Sequence, residues 1–413
     1  MIPAGLNLLY LPPFSIVARF FLTASLFCLF GVLISLYMLF TGTFSLQALV
    51  HTYTVGFMAM TMFGALFQML PVVAGATIEN PLPKAAFTHV TLTLGTLLFV
   101  TGFLLSHDTV LYTGLFILSI SFLFVAPMML FKLLKLKSYS PTSLGMKFAL
   151  AFFLGAFLTG LLLLFGLKGV FLVSYTYLLQ LHVSLMLWGW VALLIASVAF
   201  QVIEMFFVTP PYLRFFSYNL PYALTLLFFF NLLTGFHWST KLLLSLLYIS
   251  FVVLTVTRLL RRRRKISDPL ISLWYTGMFF LFLSCLLYPF IEREFRVFLL
   301  FLFTFGTFAQ SVIMAMMYRI IPFLVWIHLS NKGIPNAPTM HEVIRPKRVW
   351  WSYYMHLMSI FIFLVSFFSE VRVLWLITAL SYLVSFATLF LNLLSGILTY
   401  LRRGAQQGAF PQH

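Results

Sequence analysis

The feature that most constrains this chain is a succession of twelve apolar stretches, each of roughly 20 or more residues, because a helix of about 20 apolar residues is what crosses the hydrocarbon core of a bilayer. Their bounds read 15–42, 46–75, 84–106, 109–134, 146–167, 174–208, 214–236, 240–260, 268–290, 295–329, 349–369 and 372–400. The short connections leave no room for a water-soluble domain. The expected architecture is therefore all-α, a polytopic membrane protein whose single transmembrane domain covers 1–413 and faces a lipid bilayer. Composition agrees, since 62% of the residues are apolar and 8% charged, against about 25% charged in a soluble domain. The first stretch is long, lacks a basic start and is followed at once by another, so it reads as a retained span and not a cleavable signal. Cys28 and Cys285 both fall inside apolar runs, which excludes a disulfide scaffold.

Lys and Arg outnumber Asp and Glu by 25 to 8, for a net charge of +17. Such an excess would suit nucleic acid on a soluble protein, but here the charges sit in short loops, as membrane topology alone produces, and no nucleic-acid partner is expected. Lys132, Lys135, Lys137 and Lys147 flank the fourth loop, Arg258, Arg261 to Arg264 and Lys265 the eighth, Lys332, Arg345, Lys347 and Arg348 the tenth, and Arg402 and Arg403 close the chain. The odd loops carry only Lys168, Lys241, Arg293, Arg296 and Arg372. By the positive-inside rule both termini are expected on the cytoplasmic side, so spans 2, 6 and 10 begin at the outer face. The Arg261 to Lys265 run is read first as this topology signal and second as a contact for anionic lipid head groups.

A repeat marks the even spans. Span 2 ends Phe67-Gln68-Met69-Leu70-Pro71, span 6 ends Phe200-Gln201-Val202-Ile203-Glu204, and span 10 ends Tyr318-Arg319-Ile320-Ile321-Pro322. Each is an aromatic, a polar residue and two apolar ones. Gly56 stands twelve residues before Gln68, Gly189 twelve before Gln201, and Thr307, next to Gly306, twelve before Arg319. From 68 to 201 is 133 residues and from 201 to 319 is 118, and each interval holds four spans with their loops. The chain is thus expected to form three four-helix pseudo-repeats, about 15–134, 146–260 and 268–400, with spans 2, 6 and 10 around a central axis.

Ionisable side chains inside a span are costly and mark functional candidates. His51 and His182 lie within the first turns of spans 2 and 6, at similar depth by a rise of about 1.5 Å per residue. Gly189, seven residues from His182, shares its helix face, where a small residue would leave room for a flat macrocycle. From His51 the same face would continue through Met58, Met62 and Met69, lining a porphyrin or simply packing a core. The alternative for both histidines is a hydrogen bond to a neighbouring helix. His89 and His356 open spans 3 and 11, and are read as interfacial anchors beside Trp350, Trp351, Tyr353 and Tyr354, or else as a second, inner site. His107, His237, His328, His341 and His413 read as solvated. Glu204, the only carboxylate in a likely span, is either a proton-entry group or a partner of Arg214, and Gln68, Gln201 and Arg319 are expected to form a small structural polar cluster. No zinc-protease, Cys-x-x-Cys, covalent-haem or phosphate-loop motif occurs, so hydrolase and ATPase chemistry have no residues here.

Twelve spans in three fours, with histidines high on spans 2 and 6, resemble the catalytic subunit of heme-copper oxidases, a superfamily that includes cbb3-type enzymes, nitric oxide reductases and distant NnrS-like proteins. The segments carrying the resemblance are Leu49-Val50-His51 through Gly64-Ala65-Leu66-Phe67-Gln68-Met69-Leu70-Pro71, Leu181-His182 through Trp188-Gly189-Trp190 to Phe200-Gln201, and Met317-Tyr318-Arg319-Ile320-Ile321-Pro322-Phe323-Leu324-Val325-Trp326. The resemblance implies that His51 matches an axial ligand of the low-spin haem and that His182 lies on a helix contributing to the copper site. It also implies ligands on helices 7 and 10, yet residues 214–236 and 295–327 contain no histidine, so oxygen reduction is not expected. What it leaves is a b-type haem held by His51 with His182, His89 or a methionine, or a copper ion on histidines and thioethers. A metal-free descendant of the fold is the third case. The expected role is electron transfer, redox or gas sensing, or nitric oxide protection in a bacterial inner membrane, with a redox partner or respiratory-complex subunits as company. A permease or copper handler and an assembly factor are the readings from other classes.

Overall fold

The computed structural model describes residues 10–166, 174–334 and 336–405, so the expectations on Lys168 and His413 lie outside the described residues. Twelve helices are long and apolar enough to cross a membrane: α1 (Phe14–Thr41), α2 (Leu46–Val72), α3 (Pro81–Leu105), α4 (Asp108–Leu134), α5 (Pro141–Gly166), α6 (Tyr175–Phe207), α7 (Arg214–Leu233), α8 (Trp238–Leu260), α9 (Pro269–Phe290), α10 (Phe295–Asn331), α11 (Pro346–Ser369) and α12 (Arg372–Ala405). Their bounds lie within a few residues of those read from hydropathy. A single turn, Met340–Val343, precedes α11, and among the described residues there is no strand.

Local chemistry sets the ends. Prolines open α3, α9 and α11, where a missing N–H costs nothing. The Asp268 carboxylate accepts from the Leu270 amide at 2.9 Å and the Ser45 hydroxyl from the Ala48 amide at 3.3 Å, capping α9 and α2. Gly42, at φ 72°, closes α1 in the left-handed region.

Three helices form the centre. The spanning window of α2 is 94% buried, that of α6 83% and that of α10 61%, against 28–56% for the other nine. The α2 and α6 cores meet through aromatic rings, with Phe63 5.4 Å from Trp190 and Phe153 of α5 5.0 Å from Trp190. Elsewhere glycines bring backbones together: a Cβ on Gly114 of α4 would stand 2.2 Å from the Phe99 amide nitrogen of α3, and one on Gly145 of α5 would stand 1.8 Å from the Ser197 hydroxyl of α6. Close approach of this kind replaces the missing hydrophobic drive between helices in lipid.

α2 and α6 share one irregularity. Each contains an eight-residue π-helical segment, Thr52–Ala59 and Leu185–Ala192, and the two are offset by the 133 residues that separate Gly56 from Gly189. α10 is α-helical throughout. A π turn takes one residue more than an α turn and so rotates everything beyond it by roughly a quarter turn. The Tyr248 hydroxyl of α8 donates to the Trp188 carbonyl at 2.5 Å and ties the second segment to its neighbour.

Two substitutions test this packing. Gly114→Ala is expected to lower stability by about 1–3 kcal/mol, because α3 and α4 must separate. Gly306→Ala, at a position where a Cβ meets nothing within 4 Å, is expected to be neutral or slightly stabilising. Thermal unfolding of the purified variants in one detergent checks both.

Candidate functional site

Two of the sequence candidates meet, His51 and His182, whose ring centroids are 6.4 Å apart and whose planes are inclined at 28°. His51 is the last residue of α2 before its π segment, and His182 lies three residues before that of α6. The His51 ring is stacked on Phe103 at 5.7 Å and meets Phe99 edge-on at 5.3 Å, both from α3. His182 packs against Gly160 of α5, where a Cβ would stand 2.9 Å from its Cε1.

The hydrogen bonds decide the tautomers. His51 Nδ1 lies 2.8 Å from the Gln47 carbonyl and His182 Nδ1 lies 2.7 Å from the Ala156 carbonyl. A carbonyl only accepts, so each neutral ring carries its proton on Nδ1 and keeps an acceptor lone pair on Nε2. Backbone carbonyls fix and polarise metal-ligating imidazoles in this way. Among the described residues no group of three or more His, Cys, Asp and Glu could hold a metal ion.

The remaining candidates are dispersed. Met58 lines a larger cavity between α1, α2, α6, α10, α11 and α12, while Met62 and Met69 line a small one of about 70 Å³ between α1, α2, α6, α9 and α10. The expected single stripe from His51 to Met69 is broken because the π segment intervenes and turns Met58 away from the histidine face. Gly189 does not provide room for a macrocycle: a Cβ there would be 2.8 Å from Phe152 and 3.1 Å from Phe228. His89 Nε2 is bonded to the Thr23 hydroxyl at 2.8 Å, with Phe20 edge-on at 5.1 Å. His356 is fully buried, which rules out the interfacial-anchor reading, and its Nε2 lies 2.8 Å from the Ser311 hydroxyl. The Ser311 proton goes to the Thr307 carbonyl at 2.7 Å, so His356 Nε2 is the donor and its Nδ1 is left without a partner. The partners of His89 and His356 lie on different helices, α1 and α10.

Three further expectations change. His328, read as solvated, is half-buried between Phe14 and Tyr400, each 6.2 Å away, and its Nε2 is buried without a partner. The polar cluster does not form as expected, because Arg319 pairs with Asp268 at 3.1 Å and both amide atoms of buried Gln68 stand unpartnered. Glu204 is exposed, and an ion pair with Arg214 is not among those of the described residues. In the α2–α3 loop, a 2.9 Å hydrogen bond from Lys132 holds the Glu79 carboxyl below its ordinary value.

Sequence reasoning also missed the larger cavity, of about 520 Å³, because it is assembled from six helices distant in sequence. Gln310, a rare amide in mid-span, was the one available signal.

No protein-family model matches this chain, and no curated protein matches it either.

Gly160→Val is expected to push the His182 ring off the Ala156 carbonyl. In ¹⁵N spectra of histidine-labelled protein, His182 would then lose its Nδ1–H signature while His51 keeps its own.

Proposed function

We propose that this chain holds one b-type haem in the membrane through His51 and His182 and serves electron transfer, redox or gas sensing, or protection against nitric oxide, without reducing oxygen. The observation that carries the reading is the histidine pair itself, with both Nδ1–H groups held by carbonyls and both Nε2 lone pairs left for a ligand. Haem, when bound, supplies one-electron redox chemistry at iron, tuned by its axial ligands and their surroundings. The chain's own part is to orient the two imidazoles through Gln47 and Ala156 and to keep water away with Phe99 and Phe103. The resemblance to heme-copper oxidases supports the choice of haem, and the absence of histidine from residues 214–236 and 295–327 removes the remaining oxidase ligands.

The common 133-residue offset of the glycines and π segments supports pseudo-repeats in the first two thirds of the chain. With both termini on the basic, cytoplasmic side, the histidine pair sits in the outer half of a bacterial inner membrane, within reach of a redox partner or of respiratory-complex subunits.

A second reading, a copper ion in place of haem, is favoured by one observation: the space beside Gly189 is filled by Phe152 and Phe228. Imidazole nitrogens suit copper without any macrocycle.

Optical spectra of the oxidised and dithionite-reduced protein, with haem extraction and metal analysis of the same sample, separate the two. Reduced α-bands that disappear in both His51→Ala and His182→Ala are expected. A colourless protein with one equivalent of copper, lost in the same variants, would install the second reading, and a colourless protein without metal would overturn both.

A further inference from the structure

We propose that the 520 Å³ cavity between α1, α2, α6, α10, α11 and α12 binds the head ring of a membrane-borne quinone. Its volume lies within the roughly 300–1,000 Å³ of small-molecule sites, and its lining has their character, apolar with a few polar groups. Flat surfaces dominate the wall: Phe57, Phe303, Phe305, Phe363 and Trp375 all face it, and Phe303 and Phe363 are stacked at 3.8 Å and 5°. Such walls suit a planar ring.

The polar groups select among apolar occupants. Tyr53 and Tyr382 both line the cavity and both pack on Phe386, at 6.1 and 5.4 Å, and neither hydroxyl has a hydrogen bond among the described residues. Gln310, on the same wall and 8% exposed, has only a 3.9 Å contact from Nε2 to the Met314 sulfur. Three donors on residues that line an apolar space are stabilised by a ligand that brings acceptors. A quinone brings two carbonyl oxygens on a flat ring and an isoprenoid tail that suits the surrounding bilayer. An acyl chain would leave the donors unmet. Among the described residues no charged side chain and no histidine lines the cavity, which disfavours phosphates, metal ions and a histidine-ligated haem. The cavity faces Val50, Tyr53 and Thr54 of α2, while His51 faces α3 and α6, so the inference is independent of the cofactor proposed above.

Gly306 provides the decisive variant, because it lines the cavity and a Cβ there meets nothing within 4 Å, so a large side chain fills the space without displacing a helix. The full-length protein in detergent is titrated with decyl-benzoquinone, following quenching of tryptophan fluorescence, with decylbenzene as the probe that lacks carbonyls. Saturable quinone binding is expected, weakened about tenfold in each of Tyr53→Phe, Tyr382→Phe and Gln310→Leu, and abolished in Gly306→Phe at an unchanged melting temperature. His51→Ala should leave the binding as it is, so failure of the haem reading and failure of this one are distinguishable. Equal binding of decylbenzene, with no effect of the three polar variants, would make the cavity an acyl-chain site and overturn the proposal. So would undiminished quinone binding in folded Gly306→Phe, or haem that survives His51→Ala but is lost in Gly306→Phe.

Discussion

In hydrocarbon no water is present to satisfy a backbone N–H or C=O, and the whole architecture depends on that constraint. It selects helices for all twelve spans and also explains where the hydroxyls go. Thr52, Thr61, Ser197 and Ser311 each donate to the carbonyl four residues back, at 2.6–2.7 Å, and so are satisfied within their own helix. Charged groups in the spans follow the same logic. Lys241 is 1% exposed and pairs with Glu292 at 2.7 Å, and Arg319 pairs with Asp268 while lying over Phe206 and Phe207. A buried cation without a partner would cost several kcal/mol, and both carboxylate partners lie outside the helices, Asp268 as the N-cap of α9 and Glu292 in the loop after it.

The π segments show what the same constraint permits at the centre. A helix buried on all sides has to accommodate several neighbours, and each extra residue re-aims the face beyond it while keeping backbone groups paired. Gly56 and Gly189 sit within these segments and admit Phe27 and Phe152, whose atoms would be 2.6 and 2.8 Å from an added Cβ. The result is that α2 serves two regions at once. His51 turns to α3 and α6, whereas Val50, Tyr53, Thr54 and Met58 turn to the large cavity. The polar chemistry of this chain is therefore divided between a two-histidine contact and a nearly apolar chamber, with one helix as their common wall.

Hydropathy and length determined the twelve spans, the all-α class and the short loops, because crossing 30 Å of hydrocarbon imposes the same demand on every segment. His51 and His182 were legible for a related reason, since an ionisable group inside a span is costly enough to stand out. Only the tertiary structure decided what each polar residue meets. The π segments were not legible in the apolar pattern and separated His51 from Met58, the ring of Phe152 took the space beside Gly189, and Ser311 drew His356 into the core instead of the interface. The large cavity brings residue 32 together with residue 382, and such contacts between distant helices depend on side-chain shape, about which the apolar periodicity of a single span carries no information.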